Sequence, residues 1–167
     1  MVTYSAALFM ISCISSQLGY VSLCLCIIKY AMKKILFVCI ENSNRSQMSQ
    51  AFATIYGGEN VEAYSAGSKP SGIINPKAIQ AMKEINYDLT KHASKTLDEV
   101  KEFAPFDVVV TMGCGDACPW MPAKKFFYWQ IPDPKHMEPK EFNEVRDMIM
   151  EKVRALLRDV QEVQKVQ

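Results

Sequence analysis

A short apolar run that ends in a cysteine and passes into a helical pattern most constrains how this chain can fold. Residues 34–38 have the composition of a buried strand, and from Met48 onward apolar residues recur at helical spacing. Between them, Cys39 is followed six positions later by Arg45. The sequence therefore predicts a strand, a tight loop and a helix, with Cys39 at the end of the strand.

A loop of this kind is suited to binding an anion. Backbone N–H groups that curl inward at a helix N-terminus form an anion site, and an arginine can close it with a planar fork. Cys39 would lie at the bottom as a thiolate, stabilised by the helix dipole, Arg45 and the hydroxyl of Ser46. The alternative is a buried strand-end cysteine and a surface arginine, because this spacing also occurs by chance. The predicted substrate-binding residues are Ile40, Glu41, Asn42, Ser43, Asn44, Arg45 and Ser46.

Composition narrows the class of protein. A chain of 167 residues is long enough for one domain with its own core, and a net charge of +1 gives no broad basic face for nucleic acid. The six cysteines are too unevenly spaced for a secreted disulfide framework. We therefore expect a monomeric protein that binds no nucleic acid and works in the cytoplasm.

The first residues form a segment of their own. Residues 1–28 carry no charged side chain, and the lysines at 29, 33 and 34 follow them. We interpret residues 1–31 as an apolar extension, either upstream of a misplaced start or serving as a membrane anchor. The misplaced start is favoured. In both cases residues 32–167 form the functional domain on the cytoplasmic side.

Strand and helix patterns alternate along the rest of the chain. Further strands are predicted at 60–66, 107–112 and 125–131, and further helices from 75, near 97–100 and from about 141. This order predicts an α/β fold with three layers, a four-stranded parallel sheet with helices on both faces. Ligands of such sheets bind beyond the carboxyl ends of the strands.

Two further polar positions fall beside predicted elements. Asp133 follows the fourth strand between two prolines, so it is a candidate general acid for a leaving oxygen, the alternative being a turn residue. His92 lies in a polar loop, where we expect it to be solvated rather than functional.

Two cysteines, Cys114 and Cys118, follow the third strand in a glycine-containing loop. A thiolate in an oxyanion loop can attack phosphorus or arsenic, and only a reduction would need further thiols to resolve the adduct and carry the disulfide away. A zinc site lacks two further ligands here, and two inert cysteines are the remaining alternative. We therefore predict a catalytic thiol relay with no metal and no cofactor.

Taken together, these motifs resemble the low-molecular-weight protein tyrosine phosphatase superfamily. The resemblance rests on three motifs, which are Cys39-x5-Arg45-Ser46 after a strand, Ser65-Ala66-Gly67 after the next strand, and Asp133-Pro134 late in the chain. With 111–116 and Cys118-Pro119, the chain is most similar to the arsenate reductase branch over residues 33–160.

The resemblance implies a role for each catalytic candidate. It makes Cys39 the nucleophile, residues 40–45 the oxyanion loop, Asp133 the general acid, and Cys114 with Cys118 the redox pair. It also implies thioredoxin as reductant, or else a low-molecular-weight thiol with a glutaredoxin-type partner.

Some positions depart from the family pattern. Phosphatases of the family often have a glycine at the position of Glu41 and a cysteine at that of Asn44. A carboxylate at Glu41 should repel an anion unless its side chain turns away. The family's potassium site uses a loop asparagine and a helix glutamate, and because Gln50 takes the second position we expect no potassium here.

Three functions follow as hypotheses. The first is arsenate reduction through a thiol adduct on Cys39 and a disulfide relay. The alternative is a phosphatase that uses only Cys39, Arg45 and Asp133, although residues 135–137 lack the tyrosines that phosphotyrosine specificity usually requires. The third is a non-catalytic oxyanion-binding or redox-sensing module.

Overall fold

The computed structural model describes residues 32–113 and 121–162, so the expectation for residues 1–31 lies outside it. These ranges contain four strands and four α-helices. They are β1 (Lys33–Cys39), α1 (Arg45–Gly57), β2 (Val61–Gly67), α2 (Pro76–Lys83), α3 (Leu97–Val100), β3 (Phe106–Met112), β4 (Ala123–Trp129) and α4 (Pro139–Glu162). Short 3₁₀ turns lie at Gly58–Asn60, Leu89–Lys91 and Lys101–Phe103.

The four strands form one parallel sheet in the order β2-β1-β3-β4. This arrangement confirms the predicted α/β fold. In the register, Cys39 pairs with Gly67 and Met112 with Trp129, so the strands end at a common edge. The loops that follow the strands are therefore brought together there, as expected for a ligand site of this fold.

Alternation along β1 assigns its side chains to two cores. Ile35, Phe37 and Cys39 face the larger core, which α1, α2 and α4 cover. Leu36 and Val38 face a smaller core that includes residues of α3. Helices thus lie on both faces of the sheet as predicted, but most of the helical surface covers one face.

Helix α4 confirms the long amphipathic helix expected near the C-terminus. It begins at Pro139, a residue whose fixed φ suits the first helical position, rather than near residue 141. Burial of each apolar side chain of this size contributes roughly 1.5–3 kcal/mol. None of the helices within 32–113 and 121–162 is both long and apolar enough to cross a membrane. The buried stripe of α4 consists of Phe142, Val145, Ile149, Val153, Leu156 and Val160.

Strand boundaries differ from the predicted ones by one or two residues. Strand β2 spans 61–67 rather than 60–66, and β4 spans 123–129 rather than 125–131. The start of β4 is fixed by its pairing with β3, which runs from Phe106–Ala123 to Met112–Trp129. Ile131, expected inside the strand, lies beyond it in a buried position. Hydrophobic alternation does not specify such a register.

We predict that Ile149→Ala lowers the free energy of unfolding by about 2–5 kcal/mol, because it leaves a cavity beneath α4. Ile149 is 0% exposed, whereas its neighbour Met148 is 42% exposed and provides the matched control. Urea unfolding of both variants measures the difference. Equal losses for Ile149→Ala and Met148→Ala would contradict this account of the core.

Candidate active site

Residues 40–44 connect β1 to α1 as a loop whose carbonyl oxygens are held from outside. A trans peptide points its N–H opposite to its C=O, so outward carbonyls turn the following N–H groups toward the centre of the loop. The loop therefore has the inward N–H groups predicted for an anion site. The outer bonds join the backbone N–H of Ser68, Lys69, Ser71 and Asn75 to the carbonyl oxygens of Cys39, Ile40, Glu41 and Ser43, at 3.1, 2.8, 3.0 and 3.1 Å.

Cys39 lies at the bottom of this loop and is 2% exposed. Its sulfur is 3.0 Å from the hydroxyl oxygen of Ser46 and accepts the backbone N–H of Asn42 at 3.2 Å. Asn42 also donates through Nδ2 to Ser46 Oγ at 2.8 Å, which leaves the hydroxyl hydrogen of Ser46 free to point at the sulfur. Two hydrogen-bond donors thus converge on the sulfur that the sequence analysis expects to act as a thiolate.

Asn42 is held in a conformation that most residues avoid. Its φ is +47°, in the left-handed region that asparagine tolerates better than most residues. Its side-chain oxygen accepts the backbone N–H of Lys95 at 2.7 Å and Nε2 of Gln47 at 3.0 Å. These bonds fix the turn that aims the Asn42 N–H at Cys39.

The bonding continues from Gln47 to His92 and Tyr87. Gln47 Oε1 can only accept, so His92 Nδ1, 2.9 Å away, is the donor. His92 Nε2 then accepts from the Tyr87 hydroxyl at 2.9 Å. In this neutral tautomer every bond from Tyr87 through Gln47 and Asn42 to Cys39 points its hydrogen toward the sulfur. We call the six residues of this path the donor chain, and they are Tyr87, His92, Gln47, Asn42, Ser46 and Cys39.

The expectation that His92 is solvated is therefore wrong. The imidazole is half-buried, and burial, followed by the nearby charge of Lys95, lowers the pKa of His92 from 6.5 to about 4. Spacing in the sequence carries no signal for this role, because Gln47 and His92 are 45 residues apart and meet only through the fold.

Arg45 and Asp133 meet as the topology predicted. Arg45 opens α1 and is 6% exposed, and its Nη2 lies 2.9 Å from Asp133 Oδ2. Arg45 Nη1 also donates to the carbonyl of Ile131 at 3.2 Å. The loop after β4 is thus joined directly to the oxyanion loop, and the Asp133 side chain, 46% exposed, stands at its mouth.

The carboxylate of Glu41 forms an ion pair with a lysine from the segment after β4. Its Oε1 lies 2.6 Å from Nζ of Lys135, two residues after Asp133. The bond to Glu41 is the main cause that raises the pKa of Lys135, with the charge of Asp133 adding to it. The sequence placed Glu41 beside the anion but gave no indication of this partner.

Two glycines allow the loops to approach one another. A β-carbon on Gly67 would lie 2.7 Å from the carbonyl oxygen of Ile40, and one on Gly113 would lie 2.8 Å from Arg45 Nη1. Gly113 also has φ +75°. A side chain at either position would push on the oxyanion loop or on its arginine.

The remaining predicted site residues lie partly within the oxyanion loop and partly outside the described residues. Ser43 and Asn44 are buried in the loop and Ile40 is partly exposed. Cys114 and Cys118 lie outside the described residues, between Gly113 and Met121.

Metal binding finds no support in the described part of the chain. Within 32–113 and 121–162, no group of three or more histidine, cysteine, aspartate and glutamate residues is placed to bind a metal ion. Gln50 accepts a hydrogen bond from Ser65 Oγ at 2.6 Å through its side-chain oxygen.

Residues 34–166 match the family described as Low molecular weight phosphotyrosine protein phosphatase. The chain is 41% identical over 126 residues to Arsenate reductase 2 of Staphylococcus saprophyticus, covering 73% of this chain and 94% of that protein. A solved arsenate reductase in the phosphate binding state has a TM-score of 0.70 and 34% identity, over 77% of this chain and 98% of that one. A thioredoxin-dependent arsenate reductase of Corynebacterium glutamicum has a TM-score of 0.67 and 31% identity, over 81% and 65%.

We predict that Gly113→Ala weakens phosphate binding by displacing Arg45. Gly72→Ala is the matched control, because Gly72 has φ +77° but nothing within 4 Å of an added β-carbon. Both variants should lose roughly 1–2 kcal/mol of stability from the strained φ. Only Gly113→Ala should reduce the protection that phosphate gives Cys39 against alkylation, read by mass spectrometry of its peptide. Equal protection in both variants would contradict the role of Gly113.

We predict that His92 makes folding stability fall with acid between about pH 6.5 and 4. In that window the unfolded chain binds a proton that the folded chain, with its lowered His92 pKa, does not. In His92→Ala the unfolding free energy should depend less on pH there, by roughly 1–2 kcal/mol. The exposed His136 supplies the control: a slope that changes equally in His136→Ala would refute the assignment.

Proposed function

This chain belongs to the low-molecular-weight phosphotyrosine protein phosphatase family, and we propose that it is an arsenate reductase. The observation that carries the proposal is the position of Gly113 against Arg45, since Cys114 is the next residue. Gly113 lies beside the arginine of the oxyanion loop, and two cysteines follow it in the sequence. A phosphatase has no use for these thiols, and the similar proteins described above are named arsenate reductases.

In the first step, the thiolate of Cys39 attacks the arsenic of arsenate bound in the 39–45 loop. The sulfur–arsenic bond forms as one arsenic–oxygen bond breaks, and Asp133 gives its proton so that the oxygen leaves as water. Arg45 takes the negative oxygens in its fork. Because an oxyanion there replaces Asp133 on the guanidinium, the carboxyl is left at the mouth of the loop, where the leaving oxygen needs it.

The second step reduces the arsenic. The thiol of Cys114 attacks the sulfur of Cys39, the electron pair of the sulfur–arsenic bond stays on arsenic, and arsenite leaves with arsenic reduced from the +5 to the +3 state. A Cys39–Cys114 disulfide remains. Cys118 then attacks Cys114, which frees Cys39 as a thiolate and leaves a Cys114–Cys118 disulfide.

An external dithiol must reduce that last disulfide. We propose thioredoxin, supported by the thioredoxin-dependent reductase of C. glutamicum, with a low-molecular-weight thiol and a glutaredoxin-type partner as the alternative. We also propose that the protein acts in the cytoplasm as a monomer and binds no nucleic acid.

Phosphatase activity is a second candidate with its own supporting observation. Cys39 lies at the bottom of the oxyanion loop, and Arg45 and Asp133 meet at its mouth, which supports the roles of nucleophile, oxyanion fork and acid for these three residues without either further cysteine. Phosphoester hydrolysis through a phosphocysteine needs only these three. Lys135, in place of a tyrosine after Asp-Pro, disfavours phosphotyrosine as the substrate.

We predict that Cys114→Ser abolishes arsenite production while it leaves p-nitrophenyl phosphate hydrolysis within about twofold of the wild type. The assay uses the full chain with thioredoxin, thioredoxin reductase and NADPH, and Cys39→Ser should lose both activities. Arsenite formed only with a thiol–glutaredoxin system would replace the partner and keep the reaction. Steady phosphate release without arsenite in either system would instead establish the phosphatase.

A further inference from the structure

The oxyanion loop contains a carboxylate that must be compensated before a dianion can bind. Glu41 is the second residue after the nucleophile, and its carbonyl oxygen is fixed by Ser71 N at 3.0 Å and Ser94 Oγ at 3.1 Å. The backbone of Glu41 is therefore fixed in the loop, and only rotation of its side chain can move the carboxylate. A lone negative charge there would repel the anion.

Lys135 supplies the positive charge that neutralises Glu41. Its Nζ lies 2.6 Å from Glu41 Oε1, with side-chain exposures of 43% and 33% for the lysine and the glutamate. An ion pair this exposed adds little to stability. The ion pair acts instead through the electrostatic potential at the anion site. Its net charge decides whether Glu41 repels the ligand.

Lys135 also stands on the segment that carries the candidate acid. Its backbone N–H donates to Asp133 Oδ1 at 3.2 Å, while Asp133 Oδ2 contacts Arg45. Two ion pairs thus join the oxyanion loop to the segment after β4. In the first, Arg45 supplies the positive charge to Asp133, and in the second, Lys135 supplies it to Glu41. An arriving oxyanion takes over Arg45, so Glu41–Lys135 remains to hold the loops together.

We propose that Lys135 is a positioning residue for oxyanion binding, which neutralises Glu41 and keeps its carboxylate paired across the mouth of the loop. Lys135 acts through Glu41 and makes no contact with the oxyanion. The inference rests on the proposed function only for the identity of the anion, since any tetrahedral dianion in the loop meets the same field.

The test is a double-variant cycle on the full chain. Lys135→Met leaves Glu41 uncompensated and should raise both the arsenate KM and the phosphate concentration that half-protects Cys39 from alkylation. The expected rise is roughly fivefold to tenfold, with kcat changed less than twofold. Glu41→Gln removes the repelling charge and should lower both values, and the double variant should return to within about twofold of the wild type. Added salt should shrink the effect of Lys135→Met.

Controls separate this inference from general charge and from the proposed function. Lys83→Met removes an exposed lysine on α2 and should change neither value. If Lys135→Met equals Lys83→Met, or if the double variant stays as weak as Lys135→Met, the inference is overturned; the second result means that Lys135 attracts the anion directly. Protection of Cys39 from alkylation by phosphate is measured without turnover. The predicted effect of Lys135→Met can therefore be observed even if the chain fails to reduce arsenate.

Discussion

The enclosure of one sulfur by fixed hydrogen-bond donors is the constraint on which the rest of this structure depends. Cys39 is almost fully enclosed, so the hydrogen bonds of its sulfur come from the protein. The backbone N–H of Asn42 and the hydroxyl of Ser46 supply them. The carbonyls of the loop are bonded outward, which turns the N–H groups that follow them inward. The left-handed turn at Asn42 and the glycine at position 67 follow from the same requirement.

The parallel sheet meets this requirement by placing several strand ends at one edge. β1 ends at Cys39, the proposed nucleophile, and β2 ends at the glycine that lets the loop lie close. The glycine beside Arg45 follows β3, and the acid candidate follows β4. The contacts between these segments are short and specific, such as the 2.9 Å pair of Arg45 and Asp133. A change in the loop after β4 therefore reaches the oxyanion loop through Arg45, and Asn42 links the oxyanion loop to Lys95.

Much of this could be predicted from the sequence, and the exceptions have a common cause. The strand-loop-helix order around Cys39 and the long amphipathic helix near the C-terminus are local patterns, and each is present in the structure. The pairing of Arg45 with Asp133 followed from the rule for parallel sheets. The hydrogen bonds of His92 and the pairing of Lys135 with Glu41 were not predicted. Both depend on side chains that meet across 45 and 94 residues, and no local pattern records such a meeting.

The uniform direction of the donor chain has a consequence for the sulfur whenever it is not a thiolate. From Tyr87 to Ser46 every hydrogen points the same way, so the chain acts as a row of aligned dipoles ending on one acceptor. In an arsenic adduct or a disulfide the sulfur of Cys39 carries no negative charge and accepts poorly, and the row cannot reverse unless its amides turn over together. The row thus suits a strong hydrogen-bond acceptor at this position. In the proposed reaction each covalent state of Cys39 weakens these hydrogen bonds, and release of the thiolate in the following step restores them.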